Sequence, residues 1–323
     1  MEFTTTLTPE QQRLPVVITI GNFDGIHRGH QHLMHELCAM ADTLGAIPVL
    51  VTFEPHTLMV VRPDIDVHVL TTTDEKLALA KKYGHVAESI VIHFTPTVVA
   101  MSATEFMDSL CTRLNIKGLI VGSNFSLGRN RMGDITFLEQ YGREHAIQIR
   151  ALPLDENAQV CISSTRVRSL VSEGKIEEAN ALLGHPAIIS GIVQHGDERG
   201  RLLGFPTANL LPGPHRLVPA NGVYAVRVRV SDEASPVHSD SHTTSTVYNG
   251  VANIGVRPTF NGTERRIEIH IFDANLDLYG KHLEVDFIAW LRGEQRFSGI
   301  EALKAQISSD AQQARQRLQK LGG

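Results

Sequence analysis

Long apolar runs, paired cysteines and an excess of positive charge are all missing from this chain of 323 residues. Its longest apolar stretches have the length of a strand, well below the roughly 20 residues of a membrane-spanning helix. The three cysteines, Cys38, Cys111 and Cys161, form no CxxC pair, which argues against a zinc site or a disulfide framework. Free thiols are typical of a reducing compartment, and the polar first residues predict no signal peptide. We therefore expect a cytoplasmic protein without a membrane anchor.

The charge balance also limits the partners that we expect. The formal net charge is -5 and the pI is near 6.3, so no basic footprint for a nucleic acid is visible. Hydrophobic residues make up 42% and charged residues 20% of the chain, a balance typical of globular proteins. A length of 323 residues is comfortable for two domains.

The first half of the chain alternates between strand and helix patterns. Such alternation favours βαβ units, and we predict an α/β domain with a mostly parallel sheet at residues 1–184. The predicted strands lie at 16–20, 47–53, 89–94, 117–122 and 147–154. The predicted helices lie at 30–44, 74–84, 103–114 and 165–183.

The pattern changes near 184–186, where strands begin to follow one another without helices. Their alternation of apolar and polar residues predicts a small antiparallel barrel at 185–323. The polar stretch 231–246 reads as a mobile hairpin insertion. A closing amphipathic helix is predicted from one apolar face, made of Ile300, Leu303, Ile307, Ala311, Ala314 and Leu318.

The stretch GNFDGIHRGH, residues 21–30, joins the first predicted strand to a helix. A glycine-containing turn at a helix N-terminus directs backbone N–H groups and the positive end of the helix dipole at one point, which suits phosphate. His27 and His30 could donate hydrogen bonds to phosphate oxygens as negative charge builds up. A metal site is the weaker alternative because the spacing is not HExxH, and a polar loop with incidental histidines is the other.

A second dense patch is GIVQHGDERGRLLGFPTANL, residues 191–210. It holds no Walker A loop, and neither HRD nor DFG occurs in the chain. Thr207 and Asn209 alternate along an extended segment, so both side chains would lie on one face and could hold Mg²⁺ beside phosphates. Glu268, between two isoleucines, could take a hydroxyl proton, or it could be an ordinary solvent-facing strand residue.

The stretch TIGNFDGIHRGH resembles the nucleotidyltransferase signature in the form found in prokaryotic bifunctional riboflavin kinase/FAD synthetases. The resemblance implies that His27 and His30 bind ATP phosphates and steady the transition state of adenylyl transfer. Residues 121–133 and 162–174 resemble the second and third nucleotide loops of that family. The other nucleotide-binding positions that it implies here are Gly21, Asn22, Phe23, Asp24, Gly25, Asn124, Ser163, Ser164, Thr165 and Arg168.

The second half is similar, in order, to the riboflavin kinase domain, a six-stranded β-barrel. The stretches that carry this similarity include GRLLGFPTANL, NGVANIGVRPTF and IEIHIFDANLDLYGKHLEVDFIAWLR. The resemblance implies that Thr207 and Asn209 hold Mg²⁺ and ATP and that Glu268 activates the ribityl 5′-hydroxyl. It adds Gly200, Gly204 and Pro206 to the nucleotide-binding positions.

This resemblance implies an enzyme with a Rossmann-like nucleotidyltransferase domain, then a six-stranded antiparallel barrel and a C-terminal helix. The barrel would phosphorylate riboflavin to FMN with ATP, and the first domain would adenylylate FMN to FAD with release of pyrophosphate. Mg²⁺ is the expected cofactor, and the oligomeric state stays open. The chain departs from the family pattern at Asn124, where many members carry an acid, at Leu127, where an aromatic is common, and at Thr57, where proline is common.

Two other functions stay open at this point. One is an enzyme with kinase activity alone, whose first domain is a scaffold; Asn124 favours it faintly, whereas the intact His27 and His30 speak against it. The other is a flavin-binding regulator without turnover, which degraded base or magnesium positions would favour. Glu268 and Asn209 are both present, which favours the enzyme.

Overall fold

The computed structural model describes residues 1–153, 162–195, 200, 204–231, 246–259, 262–274 and 276–320. These residues form two compact units, the first made of 1–69 and 76–163, the second of 70–75 and 164–323. Cys161 and nearly all of the predicted insertion lie outside the described residues. Within the described ranges, no helix has the length and hydropathy needed to cross a bilayer.

A six-stranded sheet in the order β1-β4-β3-β2-β5-β6 forms the centre of the first unit. All neighbouring pairs are parallel except β1–β4, so the predicted, mostly parallel sheet is confirmed. The edge strand β1 escaped prediction because three residues are too short to show a periodic pattern. The strands are β1 (Phe3–Thr5), β2 (Pro15–Ile20), β3 (Ile47–Glu54), β4 (Glu88–His93), β5 (Asn115–Gly122) and β6 (Gln148–Leu152).

Helices flank this sheet and follow most of the predicted bounds. The first of them ends where Gly45 takes a left-handed φ of 58°, as glycine after a helical pattern predicts. The sixth was not predicted, because its apolar face is short and interrupted by Gly142. The helices are α1 (Arg28–Leu44), α2 (Thr57–Val61), α3 (Thr73–Gly84), α4 (Pro96–Ala100), α5 (Ala103–Cys111) and α6 (Ile135–His145).

The strand order has a topological switch between β2 and β5. From β2 the chain proceeds to β3 and β4 on one side, and it then crosses to β5 and β6 on the other. In open parallel sheets, ligands bind at the carboxyl ends of the strands at such a switch. The loops that follow these two strand ends are 21–27 and 123–128.

A closed antiparallel barrel in the order β10-β11-β8-β7-β12-β9 dominates the second unit, as predicted. Its interior is filled by apolar side chains that alternate along each strand, among them Leu210, Ile267 and Leu283. The strands are β7 (Ala187–Gln194), β8 (Ala208–Leu210), β9 (Gly222–Ser231), β10 (Val247–Thr259), β11 (Gly262–Ile271) and β12 (His282–Arg292).

The stretch 165–183 is helical as predicted, but it forms two helices rather than one, α7 (Ser164–Ser172) and α8 (Ile176–Leu183). Gly174 separates them with φ of 78°, and a Cβ there would lie 3.0 Å from the Trp290 ring. The apolar faces of both helices pack into the barrel core. The domain boundary predicted between 184 and 185 stays a prediction.

The closing helix is α9 (Ile300–Lys320). Ala314 and Leu318 are buried against apolar residues on the outside of the barrel, as the helical face predicts. Ile300 does not belong to that buried face, because the first residue of the helix is 62% exposed. A forked ion pair from Arg292 to Asp310, with an N···O distance of 2.7 Å, ties the helix to β12.

A buried ion pair joins residues 70–75 to the barrel within the second unit. Glu75 and Arg216 lie 2.9 Å apart, and their side chains are only 2% and 4% exposed. Glu75 also accepts hydrogen bonds from the backbone and hydroxyl of Ser190, while Arg216 donates to the carbonyl oxygens of Leu70 and Ile188. Removing one partner would leave the other charge buried and uncompensated.

We predict that Glu75→Gln lowers the free energy of unfolding of the barrel unit by about 3–5 kcal/mol, as is typical when one member of a buried pair is removed. Urea unfolding followed by the fluorescence of Trp290 would measure it, because the chain has a single tryptophan. Glu173→Gln is the matched control, since its exposed pair with Lys175 should contribute little. Equal midpoints for the two variants would contradict the prediction.

Candidate active sites

The loop 21–27 after β2 has an unusual backbone that buried side chains hold in place. Phe23 and Ile26 have φ angles of 49° and 41°, and Gly25 has 82°. A left-handed φ at a non-glycine residue is unfavourable and persists only where the surrounding structure enforces it. Both side chains are almost fully buried, at 4% and 0% exposure, so their packing supplies that constraint. The loop is therefore a preformed feature at the sheet switch.

Asn22 is clamped by hydrogen bonds from neighbouring segments. Its side-chain amide donates to the hydroxyl of Thr57 at 2.9 Å and accepts from the backbone N–H of the same residue at 3.2 Å. The hydroxyl of Thr52 donates to the backbone carbonyl of Asn22 at 3.2 Å. A proline at position 57 could make neither bond to the amide, so this departure from the family pattern gives the loop an additional clamp.

His27 and His30 come together at the start of α1. Their rings stack with centroids 3.6 Å apart, and Phe23 contacts His30 edge-on at 5.1 Å. Nδ1 of His27 caps the helix by accepting the backbone N–H of His30 at 3.3 Å. In the neutral ring this assigns the proton to Nε2, which becomes a donor beside the positive end of the helix dipole. The fold therefore brings the two histidines of the motif together, while their binding of phosphate stays a prediction.

The environment of His30 disfavours its protonation. Burial, followed by the nearby His27 and Lys76, holds the pKa of His30 well below its ordinary value of 6.5. Its Nδ1 atom is buried without a hydrogen-bond partner among the described residues. A buried polar atom left unpaired is costly, and an oxygen of a bound ligand would remove that cost. This atom is therefore the clearest sign of a ligand position in the first unit.

Two buried charged residues occur at the loop, one within it and one behind it. Asp24 is 1% exposed and Lys76, on α3, is 5% exposed. Burial lowers the pKa of Lys76, whereas attraction to Asp24 and Glu54 acts in the opposite direction. The ammonium of Lys76 donates to the hydroxyl of Thr52 at 3.1 Å. The site thus has a cationic centre beneath it that the motif alone did not reveal.

The other predicted nucleotide positions of the first half are more scattered. Asn124 lies exposed just after β5, at the other side of the sheet switch, and its Oδ1 lies against Gly122. Ser163 ends the first unit, whereas Ser164, Thr165 and Arg168 lie on α7 in the second. Their membership of one nucleotide site stays a prediction.

Asn209 and Glu268 face each other across β8 and β11 of the barrel. Asn253 on β10 is opposite Glu268 from the other side. Because Ile267 and Ile269 fill the core, these polar side chains lie on the outer face of the barrel. Asn209 is only 7% exposed, and Glu268 is half-buried. The register therefore unites the predicted base with one of the two predicted magnesium ligands.

A pocket of about 590 Å³ opens at one end of the barrel beside these strands. Thr207 lines it, whereas Asn209 and Glu268 do not. The other lining residues are mostly apolar, namely Val193, Pro206, Ala208, Ile269, Ile271, Ala274, Leu276, Asp277, Leu278 and Tyr279. Such a pocket suits a flat ring system, with the polar end of the ligand directed at Thr207.

The predicted glycines support the turn that carries Thr207. A Cβ on Gly200 would lie 2.4 Å from the carbonyl oxygen of Phe205 and 3.2 Å from the Thr207 hydroxyl, so only glycine fits there. Gly204 has φ of 87°, which also favours glycine. The carbonyl oxygen of Pro206 lies 2.8 Å from Nδ1 of His270, which anchors the turn to β11.

Sequence reasoning missed three residues of these sites, Thr52, Lys76 and His270. Thr52 and Lys76 lie within ordinary strand and helix patterns, and only their burial marks them as unusual. His270 is two residues beyond Glu268 on the same strand, so period-two spacing could have placed it on the same face.

The residues at the barrel suit magnesium better than a transition metal. Thr207 and Asn209 offer a hydroxyl and an amide oxygen, the hard ligands that Mg²⁺ accepts while it keeps waters and phosphate oxygens. In the described part of the chain, no three His, Cys, Asp or Glu side chains gather into a metal cluster. The donor set therefore fits an ion held largely by its nucleotide.

Two family models match this chain. One, described as FAD synthetase, matches residues 9–166, and the other, described as riboflavin kinase, matches residues 183–318. Together the two matches span most of both units. Residues 167–182 lie between the matches and hold most of α7 and nearly all of α8.

Curated relatives match along almost the full length. A bifunctional riboflavin kinase/FMN adenylyltransferase from Escherichia coli (strain K12) is 38% identical over 302 residues, which cover 93% of this chain and 92% of the relative. Proteins of the same name from Pseudomonas fluorescens and Bacillus subtilis (strain 168) are 37% and 32% identical. Those alignments cover 93% and 94% of this chain, and 92% and 93% of the relatives, respectively.

A solved structure has the same fold over both units. A crystal structure described as a macrolide-efflux protein from Streptococcus pneumoniae matches with a TM-score of 0.81 at 29% identity. The match covers 93% of this chain and 94% of the other.

We predict that the His30 ring stays neutral well below pH 6.5, because the fold lowers its pKa. NMR of the histidine ring nitrogens across a pH titration would measure it, with His30→Gln assigning the resonance. Since the unfolded chain binds this proton at a higher pH, acidification through pH 6.5 should also lower the free energy of unfolding of the first unit. A His30 midpoint at the ordinary value would contradict the prediction.

Proposed function

Since this chain belongs to the family of bifunctional riboflavin kinase/FMN adenylyltransferases, we propose that it makes FAD in two ATP-dependent steps. The barrel unit phosphorylates riboflavin to FMN, and the N-terminal unit transfers AMP from a second ATP to FMN with release of pyrophosphate. The observation that carries the proposal is the register of Asn209 opposite Glu268, beside the pocket that Thr207 lines.

In the kinase step, Glu268 acts as the general base. Its carboxylate takes the proton from the ribityl 5′-hydroxyl, whose oxygen attacks the γ-phosphorus of ATP while the bond to ADP breaks. The apolar pocket takes the adenine ring, so the phosphates run past Thr207 toward the outer face of β8 and β11. Positioning of the hydroxyl against the phosphorus then supplies much of the rate enhancement.

We also propose that Mg²⁺ takes part in the kinase step. Thr207 and Asn209 would hold the ion, with the remaining positions left to water and phosphate oxygens. When bound, it neutralises the charge of the phosphates and of the leaving group.

In the adenylyl step, the loop 21–27 binds the triphosphate of the second ATP. Nε2 of His27 donates to a phosphate oxygen, and the neutral ring of His30 donates from its buried Nδ1 in the tautomer that carries the proton on that atom. The start of α1 adds the partial charge of the helix dipole. A phosphate oxygen of FMN attacks the α-phosphorus, and pyrophosphate leaves. Donors that already point to where negative charge develops lower the activation barrier of this step.

The composition favours a cytoplasmic enzyme that acts on small molecules and binds no nucleic acid. In each unit, the described residues form a candidate site. This favours an enzyme over a flavin-binding regulator without turnover, and it favours two activities over kinase activity alone.

We predict that His27→Ala lowers FAD formation from FMN by about 10²–10³-fold and leaves FMN formation from riboflavin unchanged, since one preset donor is lost. His27→Asn separates catalysis from capping, because asparagine still caps a helix. Chromatographic separation of riboflavin, FMN and FAD over time would measure both steps. The exposed His32→Ala serves as the control, and equal loss of both activities in His27→Ala would refute the two-site assignment.

We predict that Glu268→Gln lowers FMN formation by about 10²–10⁴-fold, the usual contribution of a general base, while FAD formation from supplied FMN is retained. Glutamine keeps the size and hydrogen-bonding oxygen of the side chain but cannot take the proton. The exposed Glu301→Gln is the matched control. Unchanged FMN production in Glu268→Gln would overturn the assignment of the base.

A further inference from the structure

We propose that Lys76 is a positioning residue for adenylyl transfer, which holds the loop 21–27 through Thr52 and places a buried positive charge behind it. This inference rests on the proposed function of that loop. Lys76 lies on α3, far from the motif in sequence, and its side chain is buried at 5% exposure.

A directed hydrogen-bond relay connects Lys76 to the loop. Its ammonium lies 3.1 Å from Oγ1 of Thr52 and 3.5 Å from the carbonyl oxygen of Phe53. The Thr52 hydroxyl donates its only proton to the carbonyl oxygen of Asn22 at 3.2 Å. The same hydroxyl must therefore accept from Lys76, which sets the direction of the whole relay. Asn22 is the second residue of the loop, so the relay ends where the chain leaves β2.

The relay acts on a backbone that needs support. Immediately after Asn22, Phe23 adopts a left-handed φ of 49°. The carbonyl that the relay holds belongs to the peptide unit that enters this turn, and Thr57 holds the side chain of the same asparagine. A shift of this peptide would move His27 at the end of the loop away from the phosphate.

The charge of Lys76 is also suited to the ligand. Both oxygens that the ammonium contacts are uncharged. Asp24 and Glu54 lie close enough to raise the pKa of Lys76 against the effect of burial, and Lys76 in turn lowers the pKa of His30. An apolar side chain of similar length would fill the same space without the cost of burying an amine. A triphosphate at the loop would favour the ammonium form and would be attracted by it. A buried cation in this place therefore serves an anionic ligand.

This geometry predicts which kinetic constant changes. A loop that presents His27 at the correct distance matters most when charge develops on the attacked phosphorus. Loss of the relay should then lower kcat for FAD formation more than it raises the KM for ATP. FMN formation in the other unit should not change, and it reports in the same sample that the protein is folded.

The first experiment compares Lys76→Met with Lys82→Met in the full chain. Lys82 is an exposed lysine of the same helix, so the control makes the same chemical change outside the relay. We expect kcat for FAD formation from FMN to fall by about 10²-fold in Lys76→Met, the usual effect of misplacing a reacting group by about 1 Å. Lys82→Met should match the wild type in both activities, and Lys76→Arg should recover part of the lost rate.

A second pair of variants tests the relay itself. Thr52→Val removes the hydroxyl at nearly constant volume, and Thr52→Ser keeps it. We expect a loss of kcat for FAD formation in Thr52→Val and near wild-type kcat in Thr52→Ser. Because the two side chains act through one path, Thr52→Val should cost much less in the Lys76→Met background than alone.

The outcomes separate the inference from the proposed function. A wild-type chain that makes FMN but no FAD would overturn the proposed adenylyl step, and with it the role of Lys76. A wild-type chain that makes FAD, with Lys76→Met as active as Lys82→Met, would overturn the inference alone. Independent, multiplying effects of Thr52→Val and Lys76→Met would also overturn it, as would equal losses of both activities in Lys76→Met.

Discussion

The packing of Phe23 and Ile26 holds the turn after β2 in a backbone conformation that isolated residues avoid. Both side chains are buried, so the first unit cannot relax the turn without exposing apolar surface. The stacked pair of His27 and His30, the start of α1 and the carbonyl of Asn22 all take their positions from this turn. The nucleotide chemistry proposed for the first unit therefore depends on a hydrophobic constraint.

In the barrel, the alternation of inward and outward side chains along each strand positions the site residues. Ile267 and Ile269 turn inward to stabilise the core, and Glu268 between them is thereby presented on the outer face. Antiparallel register then brings Asn209 opposite this carboxylate, although the two residues are far apart in sequence. The two proposed phosphate sites thus lie where each fold offers a position for them, a switch point in a parallel sheet and a face of a closed barrel.

Particular residues mark how far sequence reasoning reached. The strands, the Gly45 helix end and the closing helix follow from local periodicity, and the structure agrees with them closely. The break at Gly174 and the exposure of Ile300 were missed, because both depend on what the helix packs against. The residue types at both sites were evident from motifs and from resemblance, because those residues are neighbours in the chain.

The sequence by itself determined the two fold classes, because periods of 3.6 and 2 residues and the punctuating glycines are local properties. It also determined the short motifs, whose residues are neighbours in the chain. Only the tertiary structure decided that Lys76 reaches Thr52, that Thr52 holds Asn22, and that Asn209 faces Glu268. These contacts join segments far apart in sequence, and burial and strand register, which no local pattern encodes, set which side chains meet.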